Sequence, residues 1–181
     1  VQSGRTRDMI RGIDASEFPI IPGYSPNGAA FIDPLALKKL VNHVVFAAST
    51  DESRPTLTGV LLRMHENTIT FAATDQFRLS IRKSVLLESI AAPHVILVPA
   101  RAIAEVGRLI GSQSEPIAIS VTPSNGQVLF HLSNCDVVAQ LIDQKFPNFE
   151  QIIPRKHDTK FVVSTVDLLN ACRRAELFAS E

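Results

Sequence analysis

Leu141-Ile142-Asp143-Gln144-Lys145-Phe146-Pro147, followed by Ile152-Ile153-Pro154, decides how this chain is organised, because a near copy stands close to its start. There Gly12-Ile13-Asp14-Ala15-Ser16-Glu17-Phe18-Pro19 runs directly into Ile20-Ile21-Pro22. Both strings hold Ile-Asp, then Phe-Pro, then Ile-Ile-Pro. The second has one residue fewer before Phe-Pro and four more after it, and the Phe-Pro pairs begin at 18 and 146, 128 positions apart. A helix start follows each copy. Asp33 reads as an N-cap with Pro34 at the first helical position, and Ser164 reads as the cap of a later helix. These caps lie 131 positions apart, and sixteen positions beyond each stands a serine, Ser49 and Ser180. Two matched pairs at nearly one spacing argue for tandem domains of about 130 residues. Chance similarity of short strings is the weaker reading, since the order is the same in both places. Residues 1–22 are then the tail of one domain, 23–154 a complete domain and 155–181 the head of a third.

Inside the complete domain the pattern halves again. The first half reads as a strand near 28–32, a helix over 34–49 and strands near 57–64, 67–73 and 77–84. Its helix carries Leu37, Leu40, Val41 and Val44 on one face. The second half reads as a strand over 94–98, a helix over 100–110 and strands over 116–121, 127–132 and 136–142, with Asn125-Gly126 as a hairpin turn. Strand, helix and three strands, twice over, predict an α+β fold with antiparallel sheet.

The corner between two of these strands is Ala73-Thr74-Asp75-Gln76-Phe77-Arg78-Leu79. Asp75 suits it because a carboxylate there accepts backbone N–H bonds. Arg78 lies between two apolar residues, Phe77 and Leu79. Spacing alone favours an ordinary hairpin with one solvated arginine, and the alternative is a charge lining a surface groove.

Composition narrows the functional classes. The chain has 181 residues, 45% hydrophobic and 20% charged, with formal net charge zero, so any polyanion contact must come from local patches. Ten Phe, one Tyr and no Trp are few aromatics for a stacking platform on single strands. Cys135 and Cys172 form no CxxC pair and read as buried thiols in a reducing compartment. No apolar run reaches membrane-spanning length, and the chain reads as a cytoplasmic fragment. The five histidines lack metal-ligand spacing, and no phosphate-loop, nucleophile-elbow or zinc-helix motif occurs, so neither metal nor cofactor is expected. Thr74 and Asp75 as nucleophile and base would lack an activating His or Lys. The helices offer cations instead: Lys38 and Lys39 on the first, Arg101 and Arg108 with Glu105 on the second, Arg173 and Arg174 on the third. They are either solvated outer faces or a surface gripping phosphates without reading sequence.

Ser53-Arg54-Pro55-Thr56-Leu57-Thr58-Gly59-Val60, the 73–79 corner, Val98-Pro99-Ala100-Arg101 and the 141–147 string with Ile153-Pro154 resemble the bacterial sliding clamp, the β subunit of DNA polymerase III. The likeness runs in register over the whole chain. It implies a DNA-clamp fold, three similar domains per subunit and a head-to-tail homodimer closing around double-stranded DNA, with helices lining the hole. It also implies a non-enzymatic processivity factor of DNA replication, nucleoid-associated in use. Replicative polymerase, clamp loader and repair proteins would dock by short linear motifs in a groove between the second and third domains. Carried over by position, that groove uses Arg54, Leu57, Thr74, Gln76, Phe77, Arg78, Leu79, Pro147, Gln151 and Ile152. Gln76-Phe77 replaces a small-then-polar pair of many members, and Phe77 would narrow the pocket. For DNA, the matching positions are Arg101 and the loop around Asp51, Pro55 and Thr56. Lys38, Lys39, Arg108, Arg173 and Arg174 come from charge alone. The rival reading is a free-standing peptide-binding module that never encircles DNA; a hydrolase using Thr74 and Asp75 comes third.

Overall fold

The computed structural model describes residues 2–7, 9, 11–17, 23–122, 126–151, 153–154 and 156–179. Of the sequence expectations, those on Phe18-Pro19, Ile20 to Pro22, Asn125, Ile152 and Ser180 lie outside them. The chain divides into two compact units, residues 1–147 and 148–181.

The first unit opens with a small ribbon, β1 (Gln2–Ser3) paired antiparallel with β2 (Thr6–Arg7). Then come β3 (Ala30–Ile32) and α1 (Pro34–Val44), which tightens into a 3₁₀ turn over Val45–Ala47. The cap forms as the sequence demands: Asp33 Oδ1 accepts from the Ala36 amide at 2.8 Å, and Pro34 occupies the first turn. Leu37, Leu40, Val41 and Val44 are buried, as their spacing predicts. A 3₁₀ helix over Pro55–Thr58 leads into β4 (Gly59–His65), β5 (Thr68–Thr74) and β6 (Leu79–Val85). The expected strand from 57 therefore starts two residues later, because Pro55 sets helical φ and its carbonyl accepts the Thr58 hydroxyl hydrogen at 2.8 Å. The second half gives β7 (His94–Pro99), α2 (Ala100–Leu109), β8 (Ile117–Val121), β9 (Gln127–His131) and β10 (Asp136–Gln140).

All pairings are antiparallel, but the two halves do not keep to themselves. One sheet runs β6-β5-β4-β7 and the other β10-β9-β8-β3. Each half thus gives its leading strand to the other half's three-stranded meander. Val60 pairs with Val98, and Phe31 with Ala118. The exchange fuses both halves into one core, in which Phe71, Phe130, Leu62, Ile103 and Ile119 are almost wholly buried. Sequence periodicity cannot show it, because alternation reports which face a residue takes and not which strand lies beside it.

The helices meet at a close crossing. A Cβ on Gly107 would stand 2.7 Å from Val41 Cγ1, so glycine permits the approach. Lys38 Nζ reaches the Gly111 carbonyl just past α2, while Val41 lies at Gly107, so α1 and α2 run in opposite directions.

The second unit holds a 3₁₀ turn over Phe149–Gln151 and α3 (Thr165–Glu176). Ser164 Oγ accepts from the Asp167 amide at 3.5 Å, the second cap expected from sequence. Asp167 in the first turn and Arg173 and Arg174 in the last suit the helix dipole.

Candidate functional site

The corner forms where β5 ends and β6 begins, with Thr74 paired to Leu79. Asp75 organises it. Its Oδ1 accepts from the amides of Phe77 at 3.0 Å and Arg78 at 2.9 Å, and its Oδ2 takes the Arg78 Nε hydrogen at 2.9 Å. These donors, the Arg78 amide foremost, hold the Asp75 carboxyl below its ordinary value. Thr74, 5% exposed, donates its hydroxyl hydrogen to the Arg78 carbonyl at 2.8 Å and accepts from the Gln76 amide at 3.2 Å. Gln76 has φ of +83°, unusual for a side-chain-bearing residue, so the surrounding hydrogen bonds must hold it there. Its side-chain oxygen accepts from Arg54 Nη1, which ties the corner to the 49–58 loop.

Arg78 is accordingly no loose solvated arginine. It is paired to Asp75, and its Cζ sits 5.5 Å from the ring centroid of Phe46, within reach of a cation–π contact. Phe46 was missed by the sequence reading, although a signal exists. Leu35, Lys39, Asn42 and Phe46 recur at helical spacing on the exposed stripe opposite the buried one, and a phenylalanine there is out of place. Phe77 is 96% exposed, so its ring stands out from the corner into solvent.

The other groove positions are placed as follows. Leu57 is buried in the 3₁₀ helix, Arg54 is exposed at its start and Leu79 is half-buried. Pro147 is exposed at the end of the first unit, and Gln151 is exposed in the second. Thr74 and Asp75 do not make a nucleophile and base, since the Asp75 oxygens face amides and Arg78 while the Thr74 hydroxyl donates to a carbonyl.

The 49–58 loop also borders a second feature. A cleft of about 760 Å³ lies between this loop and the start of α2, lined by Ser49, Thr50, Pro55, Thr58, Arg101 and Ala104 among others. Arg101 and Pro55, both matched to DNA contacts in the sequence reading, line it. Asp51 is held ionised below its ordinary value by the Ser53 hydroxyl and amide, so the loop carries a fixed negative charge that opposes phosphate. The Arg108 guanidinium is committed to Glu105, with Nε to Oε2 at 2.9 Å. That pairing lowers the Glu105 value and raises that of Arg108. Lys39 is exposed, and Lys38 leans on the Gly111 carbonyl. On α3, Arg173 and Arg174 share a shallow cleft with Asp167 and Asn170. No metal-holding cluster of His, Cys, Asp and Glu exists among the described residues, and no helix there is long and apolar enough to cross a membrane.

This geometry has counterparts. The beta sliding clamp of Bacillus subtilis is 32% identical over 181 residues, all of this chain and 47% of that protein. That of Staphylococcus aureus is 30% identical over the same span. The crystal structure of the B. subtilis DNA polymerase sliding clamp superposes with a TM-score of 0.86 at 32% identity, covering 99% of this chain and 47% of that one. The DNA polymerase III beta subunit of Thermotoga maritima gives 0.79 at 26% identity, covering 91% and 44%. The chain therefore has the DNA-clamp fold and spans about half the length of these relatives. Residues 32–148 match the family model for the central domain of the DNA polymerase III beta subunit, and the chain belongs to that family.

Proposed function

We propose that this chain is part of a processivity clamp, a non-catalytic ring that encircles duplex DNA and tethers the replicative polymerase. The observation that carries this is the match to sliding clamps over the full chain, together with the central-domain match. Residues 1–22 are the end of a first clamp domain, 23–154 the whole of a middle one and 155–181 the start of a third. Two subunits join head to tail. Neither metal nor cofactor takes part, and the ring works in the bacterial cytoplasm at the nucleoid.

Two surfaces divide the work. Arg101, with Lys38, Lys39, Arg108, Arg173 and Arg174, meets phosphates without reading bases. The corner, through Arg54, Leu57, Thr74, Gln76, Phe77, Arg78 and Leu79, receives short linear motifs of polymerase, clamp loader and repair proteins, and Pro147, Gln151 and Ile152 are given the same role by their match to groove positions. Apolar side chains there take a hydrophobic anchor, and Thr74, Arg78 and Arg54 supply polar edges.

A topology assay tests the reading. Full-length subunit loaded on nicked circular DNA should stay bound through gel filtration and be lost once the circle is linearised. Equal loss from both forms would overturn it in favour of a peptide-binding module that never encircles DNA.

A further inference from the structure

We infer that Phe46 is a positioning residue for Arg78: its ring fixes one face of the guanidinium so that the terminal nitrogens are presented to hydrogen-bond acceptors of a docked segment. The inference rests on the reading of the corner as a partner-peptide wall. Arg78 is fixed at four places. Its amide donates to Asp75 Oδ1 at 2.9 Å and its carbonyl accepts from Thr74 Oγ1 at 2.8 Å. Its Nε donates to Asp75 Oδ2 at 2.9 Å, and its guanidinium lies over the Phe46 ring at 5.5 Å. The Arg78 side chain is nonetheless 58% exposed. Among the described residues nothing takes the outer edge, Nη1 and Nη2, the part of the fork that recognises oxygen acceptors in a plane.

Asp75 alone leaves the guanidinium free to rotate about the Nε contact, and the Phe46 ring removes that freedom. Phe46 is itself 57% exposed, so the core gains little from it. A group held in its bound geometry before the ligand arrives loses less entropy on binding.

The test uses the full-length subunit and a fluorescein-labelled peptide carrying the docking segment of the cognate replicative polymerase, read by anisotropy. Arg78→Ala should weaken binding about tenfold or more. Phe46→Ala should weaken it about two- to fivefold, the scale of an exposed cation–π contact. The double variant should be no weaker than Arg78→Ala alone, and Phe46→Trp should restore binding. In the ¹⁵N-labelled protein the Arg78 Hε resonance should carry a ring-current shift that Phe46→Leu abolishes while backbone amides away from residue 46 keep their positions. Wild-type affinity in Phe46→Ala with weak binding in Arg78→Ala overturns the positioning role and leaves the peptide site standing. Additive losses overturn it too, since Phe46 would then touch the peptide itself. Wild-type affinity in Arg78→Ala sinks the peptide-site reading underneath.

Discussion

The corner at Thr74–Leu79 and the outer faces of α1 and α2 hold their cations in opposite ways. At the corner, Arg78 is bound through its amide, its carbonyl, its Nε and a ring face, and Gln76 is held at positive φ beside it. On the helices, Arg108 is tied to a neighbour one turn away, Lys39 stands exposed and Arg101 has no ion-pair partner among the described residues. Fixed donors select a ligand by geometry. Loosely held charges such as Lys39 and Arg101 attract a polyanion without choosing a register, and such a grip permits sliding. On the proposed function these are the two properties required, a selective dock and an unselective hold. The 49–58 loop touches both, through Arg54 to the corner and through Pro55 and Thr58 to the Arg101 cleft.

The largest effect should come from removing what both regions share. Phe71, wholly buried in β5, lies in the strand that ends at the corner and belongs to the core that also seats α1 and α2. Phe71→Ala should destabilise the chain by about 3–5 kcal/mol. In urea, helical circular dichroism and a probe at the corner should shift to one new midpoint. Two separate midpoints would break the comparison, making dock and helices independent units.

How much of this was legible beforehand differs between the two regions. Strand and helix positions followed from periodicity because each element buries one face, as Leu37, Leu40, Val41 and Val44 show. The caps at Asp33 and Ser164 followed from side-chain chemistry. The exchange of β3 and β7 between halves did not, since register between distant strands is decided by the packed core. At the corner, Asp75 as a turn-maker was readable from its type and place. The partners of Arg78 were not: Phe46 lies 32 positions away, and only the fold brings the 3₁₀ turn after α1 to the corner. The direction of Phe77 was likewise invisible, because a strand pattern stops informing where the strand ends at Thr74.

Acid should separate the regions next. Asp75 titrates below its ordinary value because the Arg78 amide, the Phe77 amide and the Arg78 side chain favour its charged form. A depressed folded value adds stability above the unfolded value, and that stability disappears as pH falls through the depressed one. Asp75→Asn removes this linkage. Wild type should therefore lose more stability than the variant between about pH 5 and pH 2, measured by urea midpoints. Glu105 is lowered in the same direction, by Arg108 on an open helix face. Glu105→Gln should flatten the acid limb less, since the Glu105 carboxylate meets one side chain where that of Asp75 meets two amides as well. An equal flattening would show that the corner is no more tightly organised than a helix surface.

The smallest effect concerns the cations themselves. Arg101→Ala should weaken binding of a short linear duplex to the full-length subunit and lower the salt slope by roughly 0.9, the share of one released phosphate contact. Arg108→Ala should change both by less, because Glu105 already neutralises that guanidinium. Removing the carboxylate is then the sharper probe: in Glu105→Gln, Arg108 is released, and the salt slope should rise toward that of one more contact. Were Arg108→Ala to cost as much as Arg101→Ala, the Glu105 pair would have to open on DNA. The helix faces would then resemble the corner in making a specific exchange of partners, and the contrast between a fixed dock and a loose hold would no longer describe the molecule.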